Sequence, residues 1–392
     1  MSRIESIDHE DLEFLVSRSY KTKDPLFVYG SFGIGKSMTV KRKAKEISEK
    51  KDKEFVEWNE VPKERKQELI ENPEDYFVLV DIRLAQMDAS DIKGIPNIEN
   101  NGAVEWKPPL WVYFGAQENA DGIFFFDEAN LAPPIIQSAF YQVVHDKQSG
   151  AYKINDNIGM ISAGNRVEDK SNVYDLSEAL KDRYNIVELT PPSLEMWTEW
   201  ASSNGIDDRV ILFLQNHRSK LNDPAKEDSK QKSATPRAWE RVSNNIKGVE
   251  DPRKIRMLAA SSVGERIAIE FKNWIETREN INTEKFLSEP DSAELPDDPS
   301  KIYALISELV SYYKENTEKK SKKRKRKRKK VFNSLLKVGR RLANNGDSIE
   351  FAPVLFKLMM KEDKRYFVKH AGKNEDWNNA ISGTELKDLL KA

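Results

Sequence analysis

The fold is decided by the stretch Leu26-Phe27-Val28-Tyr29-Gly30-Ser31-Phe32-Gly33-Ile34-Gly35-Lys36-Ser37. Its first four residues are apolar and branched or aromatic, which indicates a short buried strand. The next eight fit the pattern G-x-x-x-x-G-K-S of a phosphate-binding loop. From Met38 to Ile47 the sequence predicts a helix whose positive end faces the phosphates. We therefore expect a nucleotide site here; the alternative is a glycine-rich turn that merely joins two elements.

Each residue type in this loop suits the binding of phosphate. The three glycines permit backbone angles closed to other residues, so successive N–H groups can turn toward one anion. Lys36 adds a positive charge for the outer phosphates, and Ser37 offers a hydroxyl to Mg²⁺. The predicted nucleotide-binding residues of the loop are Gly30, Ser31, Phe32, Gly33, Ile34, Gly35, Lys36, Ser37 and Met38.

A second apolar run, residues 122–126, ends in the acidic pair Asp127-Glu128. Such a run is typical of a parallel strand buried on both faces, and ligands bind at the carboxyl ends of these strands. Asp127 is predicted to hold Mg²⁺ through its water shell, because Mg²⁺ favours hard oxygen ligands and keeps several waters. Glu128 is predicted to polarise the water that attacks the γ-phosphate. The alternative is a strand that happens to end in acids.

Two more polar residues occupy positions that suit a nucleotide site. Asn165 follows the predicted strand 158–163, where its amide can hydrogen-bond the attacking water or only cap the turn. Arg237 lies in the first turn of a predicted helix, where a cation opposes the helix dipole. An anion is therefore expected as its partner; the alternative is an exposed surface arginine. Residues 174–183 are predicted to form a helix that ends at Arg183.

Strands and helices alternate up to Leu189, which predicts a mainly parallel sheet. After Pro191-Pro192 the pattern becomes helical. The chain of 392 residues has no cysteine, which excludes disulfides and thiolate metal sites and fits a reducing cytosol. No apolar run approaches the ~18 residues of a membrane span, and residues 1–10 are not expected to form a signal peptide. We expect a cytoplasmic protein without a membrane span.

One segment departs from the overall charge balance. The run 319–330 carries eleven Lys or Arg residues, and with −1 for the whole chain the other residues sum to −12. Because charges this dense repel one another, the run is predicted to be a mobile loop in isolation. It can bind nucleic acid or another polyanion, serve as a nuclear address, or be a solvated insertion.

The motifs together resemble those of the AAA+ ATPases. In family terms, Gly30 to Ser37 correspond to Walker A, Asp127-Glu128 to Walker B, and Asn165 to sensor 1. Arg183 corresponds to the arginine finger and Arg237 to sensor 2. The order of these motifs in the chain is that of the family.

Further segments look like the MoxR-like branch of that family. Residues 81–96 resemble its insertion in helix 2, and the predicted hairpin around Gly150 resembles its pre-sensor-1 hairpin. Residues 106–111, 162–165 and 295–377 are similar to a bacterial, archaeal and phage subgroup of MoxR-like proteins. The basic run does not belong to this pattern.

The resemblance implies an AAA+ P-loop parallel-sheet domain at 1–191, an α-helical lid at 192–280, and a helical C-terminal region at 281–392 that contains the basic loop. It implies a ring, usually a hexamer, with ATP and Mg²⁺ between subunits and Arg183 reaching the neighbour's γ-phosphate. Ser37 and Asp127 are then the magnesium residues, and Glu128, Asn165 and Arg183 the catalytic residues.

Three functions remain open at this level. The first is chaperone-like remodelling or activation of a partner protein, often with a von Willebrand factor A domain protein. The second is a nucleic-acid motor or loader that uses the basic arm 319–330. The third is a nucleotide-gated scaffold that barely hydrolyses, against which the presence of Glu128, Asn165 and Arg183 argues.

Overall fold

The structure is a computed structural model that describes residues 4–98, 104–166, 173–224, 232–279, 283–317 and 322–381. The chain divides into two compact units. The first comprises Met1–Trp197 with Thr235–Arg237, and the second comprises Thr198–Ala234 with Ala238–Ala392. The three-domain boundaries inferred from the sequence stay a prediction.

The strands lie in the first unit. They are β1 (Glu5–Ile7), β2 (Leu26–Tyr29), β3 (Glu54–Glu57), β4 (Tyr76–Arg83), β5 (Ile95–Ile98), β6 (Val104–Lys107), β7 (Gly122–Asp127), β8 (Gln148–Ser149), β9 (Tyr152–Lys153), β10 (Ile158–Gly164) and β11 (Asn185–Leu189). Seven of them form one sheet in the order β1-β11-β2-β10-β7-β4-β3. Every pairing in this sheet is parallel, which confirms the predicted α/β class. The pairs β5–β6 and β8–β9 are separate antiparallel hairpins.

Helices occur in both units. They are α1 (His9–Thr22), α2 (Lys36–Lys50), α3 (Lys63–Glu71), α4 (Ala89–Lys93), α5 (Leu110–Gly115), α6 (Pro134–Asp146), α7 (Glu178–Lys181), α8 (Leu194–Ser203), α9 (Asp208–Asn216), α10 (Pro236–Ile246), α11 (Pro252–Val263), α12 (Glu265–Glu279), α13 (Thr283–Ser288), α14 (Pro299–Thr317), α15 (Lys322–Asn344), α16 (Phe351–Glu362), α17 (Lys364–Ala371) and α18 (Glu375–Ile381). Within the described ranges, none of these helices is both long and apolar enough to cross a bilayer.

The central strands are apolar on both faces, as is typical of a parallel sheet covered by helices. Alternate residues of β7 pack into two different clusters, Phe124 and Phe126 into one and Ile123 and Phe125 into the other. Successive side chains of a strand point to opposite faces, so each cluster covers one face of the sheet. Strands of this kind need helices on both faces, and the helices return each strand in the same direction.

The sheet order sets the position of the candidate site. Strand β10 lies between β2 and β7, so the carboxyl ends of these three strands are neighbours. The phosphate-binding loop follows β2, the acidic pair ends β7, and Asn165 follows β10. Ligands of parallel sheets bind at this edge. The topology therefore brings together residues that are far apart in the sequence.

The predicted helix 174–183 is much shorter in the structure. Only Glu178–Lys181 are helical, and Ser177 is the N-cap, with its hydroxyl accepting a hydrogen bond from the Leu180 N–H at 3.3 Å. A serine that bonds the backbone in this way begins a helix rather than continuing one. Arg183 consequently follows the helix instead of ending it. The short strands β1 and β3 were not predicted either.

The second unit has its own apolar core, which includes Leu335 and Leu336 of α15 and Phe356 of α16. The predicted basic loop is wrong over residues 322–330, because these form the first part of α15. Residues 319–321 lie outside the described ranges. Lys and Arg are favourable helix formers, and the apolar residues of α15 that follow are buried. The buried later part of α15 therefore stabilises the helix, and the basic residues extend that helix toward its N-terminus.

Candidate nucleotide site

The phosphate-binding loop adopts the glycine-dependent backbone expected of it at two positions. Gly33 has φ 72° and Gly35 has φ 104°, both in the region that favours glycine. Gly30 is required for a different reason: a Cβ there would lie 2.9 Å from Ile34 Cδ1 and 3.0 Å from the Leu189 carbonyl oxygen. Gly35 is also the N-cap of α2, so the loop leads directly into the helix N-terminus. The loop thus has the backbone conformation and the adjoining helix N-terminus that suit an anion.

The side chain of Lys36 folds back onto the first residues of the loop that contains it. That side chain is buried, and its Nζ donates to the carbonyl oxygens of Gly30 at 2.5 Å and Ser31 at 3.0 Å. The same Nζ lies 3.5 Å from Oδ1 of Asn165. The ammonium group therefore joins the loop after β2 to the residue after β10. This places a fixed positive charge where the sequence predicts the outer phosphates.

The two residues predicted to hold Mg²⁺ are in direct contact. The Ser37 hydroxyl donates to Oδ2 of Asp127 at 2.9 Å, and Oδ1 of Asp127 accepts the Glu128 N–H at 2.9 Å. A hydroxyl and a carboxylate side by side supply the hard oxygen atoms that Mg²⁺ prefers. The side-chain oxygen atoms of Ser37 and Asp127 are therefore suitable ligands for Mg²⁺.

Glu128 has an unusual backbone conformation. Its φ is 55°, in the left-handed region that non-glycine residues rarely adopt. Such a conformation costs of order 1–3 kcal/mol and is maintained by the surrounding structure, often at functional sites. The strain occurs at the turn that directly follows β7, where the sequence predicts the residue that polarises water.

Asn165 carries an unsatisfied polar group. The residue is 3% exposed, and its side-chain Nδ2 is buried without a hydrogen-bond partner among the described residues. A buried donor left unpaired costs about 1–3 kcal/mol, so a ligand that accepts its hydrogen bond would recover that energy. This favours the predicted contact with the water or phosphate over a role that is limited to the turn.

Sequence reasoning missed the residue that holds Asn165 in place. Asn130 is 1% exposed and lies just beyond the acidic pair. Its Oδ1 accepts the Asn165 N–H at 2.9 Å, and its Nδ2 donates to the Asn165 carbonyl oxygen at 2.7 Å. Both bonds are buried and together fix the backbone of the residue. The only sequence signal was a second polar residue close behind Asp127-Glu128.

For the ATP hydrolysis that the sequence motifs predict, Asn130→Ala is expected to lower turnover by roughly 10²-fold while changing nucleotide affinity little. The loss follows because Asn165 is released from its position, and small misplacements near a reacting group have effects of this size. Turnover and nucleotide affinity are measured on the same preparation. Ser138→Ala is the matched control, since its hydroxyl bonds the Pro134 carbonyl on an exposed part of α6. Equal losses of turnover and affinity would contradict a positioning role.

Two other residues at this edge were not predicted. Arg166 donates from its guanidinium to the Ser31 hydroxyl and pairs with Glu188 at 3.3 Å, which adds a second cation beside the loop. Asp81 lies on β4, the neighbour of β7, and Oδ1 of its side chain is buried without a partner among the described residues. Burial, with the nearby charge of Asp127, raises the pKa of the Asp81 carboxyl.

The remaining loop residues differ in exposure. Ile34 is 1% exposed and packs in the core on one face of the sheet, so its backbone alone is available to a ligand. The side chains of Phe32 and Met38 are exposed, at 45% and 49%.

The two predicted arginines lie in different surroundings. Arg183 pairs with Asp182 at 2.8 Å, and its side chain is 42% exposed. Arg237 donates its backbone N–H to the Gly33 carbonyl oxygen at 3.2 Å, while its side chain is exposed. A Cβ on Gly33 would also lie 2.8 Å from Thr235 Oγ1. The backbone around Arg237 therefore contacts the phosphate-binding loop, and Arg183 lies on the surface.

No family model matches the chain, and no curated protein matches it. Among solved structures it is similar to the RuvB Holliday junction branch migration motor of Thermotoga maritima, with 13% identity over 71% of this chain and 74% of that one and a TM-score of 0.32. It is also similar to NtrX from Brucella abortus in complex with ADP, with 15% identity over 92% of this chain and 67% of that one and a TM-score of 0.31. At these values the likeness says nothing about what this chain binds or does.

Proposed function

We propose that this protein is a Mg²⁺-dependent ATPase of the MoxR-like AAA+ type. The observation that carries the proposal is the contact network at the carboxyl edge of the sheet. It consists of the contact between the Lys36 ammonium and the Asn165 amide and the contact between Ser37 and Asp127. The Nδ2 of Asn165 is buried and has no partner among the described residues. These are the groups that phosphoryl transfer needs, since it depends on positioning and on electrostatic stabilisation.

Each residue has a role that follows from its chemistry. The backbone N–H groups at the start of α2, together with Lys36, bind the phosphates. Ser37 and Asp127 hold Mg²⁺, which when bound neutralises charge on the phosphate oxygens. Glu128 polarises the attacking water by accepting its hydrogen bond. Asn165 donates its Nδ2–H to that water or to the terminal phosphate.

The proposed function requires more than one subunit. Arg183 is exposed on the surface of its own chain, a position that suits contact with a neighbouring site. We propose a ring with ATP between subunits, hexameric as the resemblance to MoxR-like proteins implies. Its work is chaperone-like remodelling or activation of a partner protein, with a von Willebrand factor A domain protein as the proposed partner.

Nucleotide binding is the first test. Lys36→Ala is expected to weaken ATP affinity about 10- to 100-fold, because hydrogen bonds to charged groups contribute about 1.5–3 kcal/mol. Affinity is measured by calorimetry with Mg²⁺ present and with Mg²⁺ removed by a chelator. Lys45→Ala is the control, since Lys45 is an exposed lysine of the same helix. A wild-type protein that binds no nucleotide in the presence of Mg²⁺ would refute the proposal.

A further inference from the structure

Two helices of the second unit contribute to one basic surface. The guanidinium of Arg328, in α15, pairs with Asp363 and lies over the ring of Tyr366 at 3.7 Å. The ring of Tyr366 in turn lies 4.2 Å from that of His370, and both belong to α17. Phe332, one turn further along α15, packs against Tyr366 at 5.3 Å. Arg328, near the end of the basic run, is therefore fixed beside α17.

Helix α17 and the residues after it add cations of their own. Lys329, Lys369 and Lys373 are all exposed, the first on α15 and the other two on or just after α17. Their charges act on His370: burial and the positive charges of Lys369, Lys329, Arg328 and Lys373 lower its pKa. We call Arg328, Lys329, Lys369 and Lys373 the basic patch. The sequence alone gave no reason to join Lys369 and Lys373 to the basic run.

We propose that the basic patch and the helical run 322–330 bind the phosphate backbone of a nucleic acid, without regard to base sequence. The charge density fits this partner. An α-helix rises ~1.5 Å per residue, and duplex DNA carries one charge per ~1.7 Å of its axis. All nine residues of the run are Lys or Arg, so its linear charge density is close to that of the duplex and opposite in sign.

An anionic membrane fits this surface less well. Helices that lie in a membrane interface need an apolar face that enters the acyl region. Residues 322–330 include no apolar residue, so this part of α15 has no such face. An acidic protein segment carries its charges on flexible side chains, without the regular spacing of a phosphate backbone.

The helix also gains stability from such a partner. Positive charges at a helix N-terminus oppose the dipole, and like charges one turn apart repel each other. A polyanion along this part of α15 relieves both effects. The proposal concerns the second unit alone and does not depend on ATP hydrolysis.

The test compares two triple variants that change the net charge equally. K329E/K369E/K373E removes three cations of the basic patch. K247E/R253E/K254E removes three exposed cations elsewhere in the second unit. Binding of a fluorescent single strand and of a duplex, each of about 30 nucleotides or base pairs, is measured by anisotropy from ~50 to ~200 mM salt. We expect wild-type affinity to fall steeply with salt. The first variant should reduce the log–log slope by about 2–3, since each phosphate contact contributes ~0.9.

The K247E/R253E/K254E control should keep the wild-type slope, and thermal melts of both variants establish that they are folded. The two probes show whether the partner is single-stranded or duplex. The proposal is overturned by an absence of binding at ~50 mM salt, or by equal losses in the two variants. Tighter binding of polyglutamate or of anionic vesicles than of nucleic acid would also overturn it, and would assign the surface to a protein or to a membrane.

Discussion

Arg183→Ala is expected to lower ATP turnover by about 10³- to 10⁵-fold, the contribution of an arginine finger in phosphoryl transfer. At ~1.4 kcal/mol per decade this is about 4–7 kcal/mol of transition-state stabilisation. The proposed action on another subunit requires a guanidinium that a neighbour can reach, and the Arg183 side chain is 42% exposed, with Asp182 as its partner in its own chain. ATP affinity should change far less than turnover, since the effect is on the transition state.

Subunit mixing tests this assignment directly. Lys36→Ala subunits lack the phosphate-binding cation but keep Arg183, while Arg183→Ala subunits have the opposite defect. Mixed rings should recover part of the activity that neither variant has alone, because an intact Arg183 can complete the site of its neighbour. Wild-type turnover per subunit should also rise with protein concentration as rings form. Full activity of a proven monomer, or of Arg183→Ala, would place the finger elsewhere.

Glu128→Gln is expected to lower turnover by about 10²- to 10⁴-fold while retaining ATP binding. Glutamine keeps the shape and the hydrogen bonding of the side chain but loses the negative charge that polarises the attacking water. Turnover by phosphate release and ATP affinity by calorimetry are measured together. Glu118→Gln is the control, since Glu118 is an exposed carboxylate that precedes β7. Turnover near the wild-type rate would remove Glu128 from the mechanism.

The same variant tests the remodelling proposal. A ring that holds ATP without hydrolysing it should retain its partner, so Glu128→Gln in a pull-down with ATP should recover more of that protein than the wild type does. A von Willebrand factor A domain protein in the recovered set would support the proposed partner. Equal recovery with and without nucleotide would contradict ATP-driven engagement.

Local sequence rules predicted the central strands well, because each is an apolar run with a clear end. Helix limits were less predictable: α7 starts at a serine cap that the surrounding pattern did not reveal. The basic run was predicted as a loop from charge repulsion alone. That argument omitted the packing of the later part of α15, which extends the helix back through residues 322–330.

The candidate site likewise contains residues that the local sequence predicts and residues that it does not. The glycine-rich loop and the acidic pair were predictable, since a loop and a strand end each carry their pattern within a few adjacent residues. The roles of Asn130 and Arg166 were not, because their partners Asn165 and Ser31 are 35 and 135 positions away in the chain. Such contacts depend on which strands are neighbours, and no local pattern encodes that.

The sequence by itself determined that this chain has a glycine-rich loop of the G-x-x-x-x-G-K-S pattern between a buried strand and a helix, because the apolar run, the glycines and the helical pattern are all local features. Only the tertiary structure decided what surrounds the loop. The order β2-β10-β7 brings Asn165 to Lys36, and the packing of α15 against α17 joins Lys369 and Lys373 to the basic run. Hydrogen bonds and charge interactions act over a few ångströms in space, so residues distant in the sequence share a site only after the strands and helices have packed.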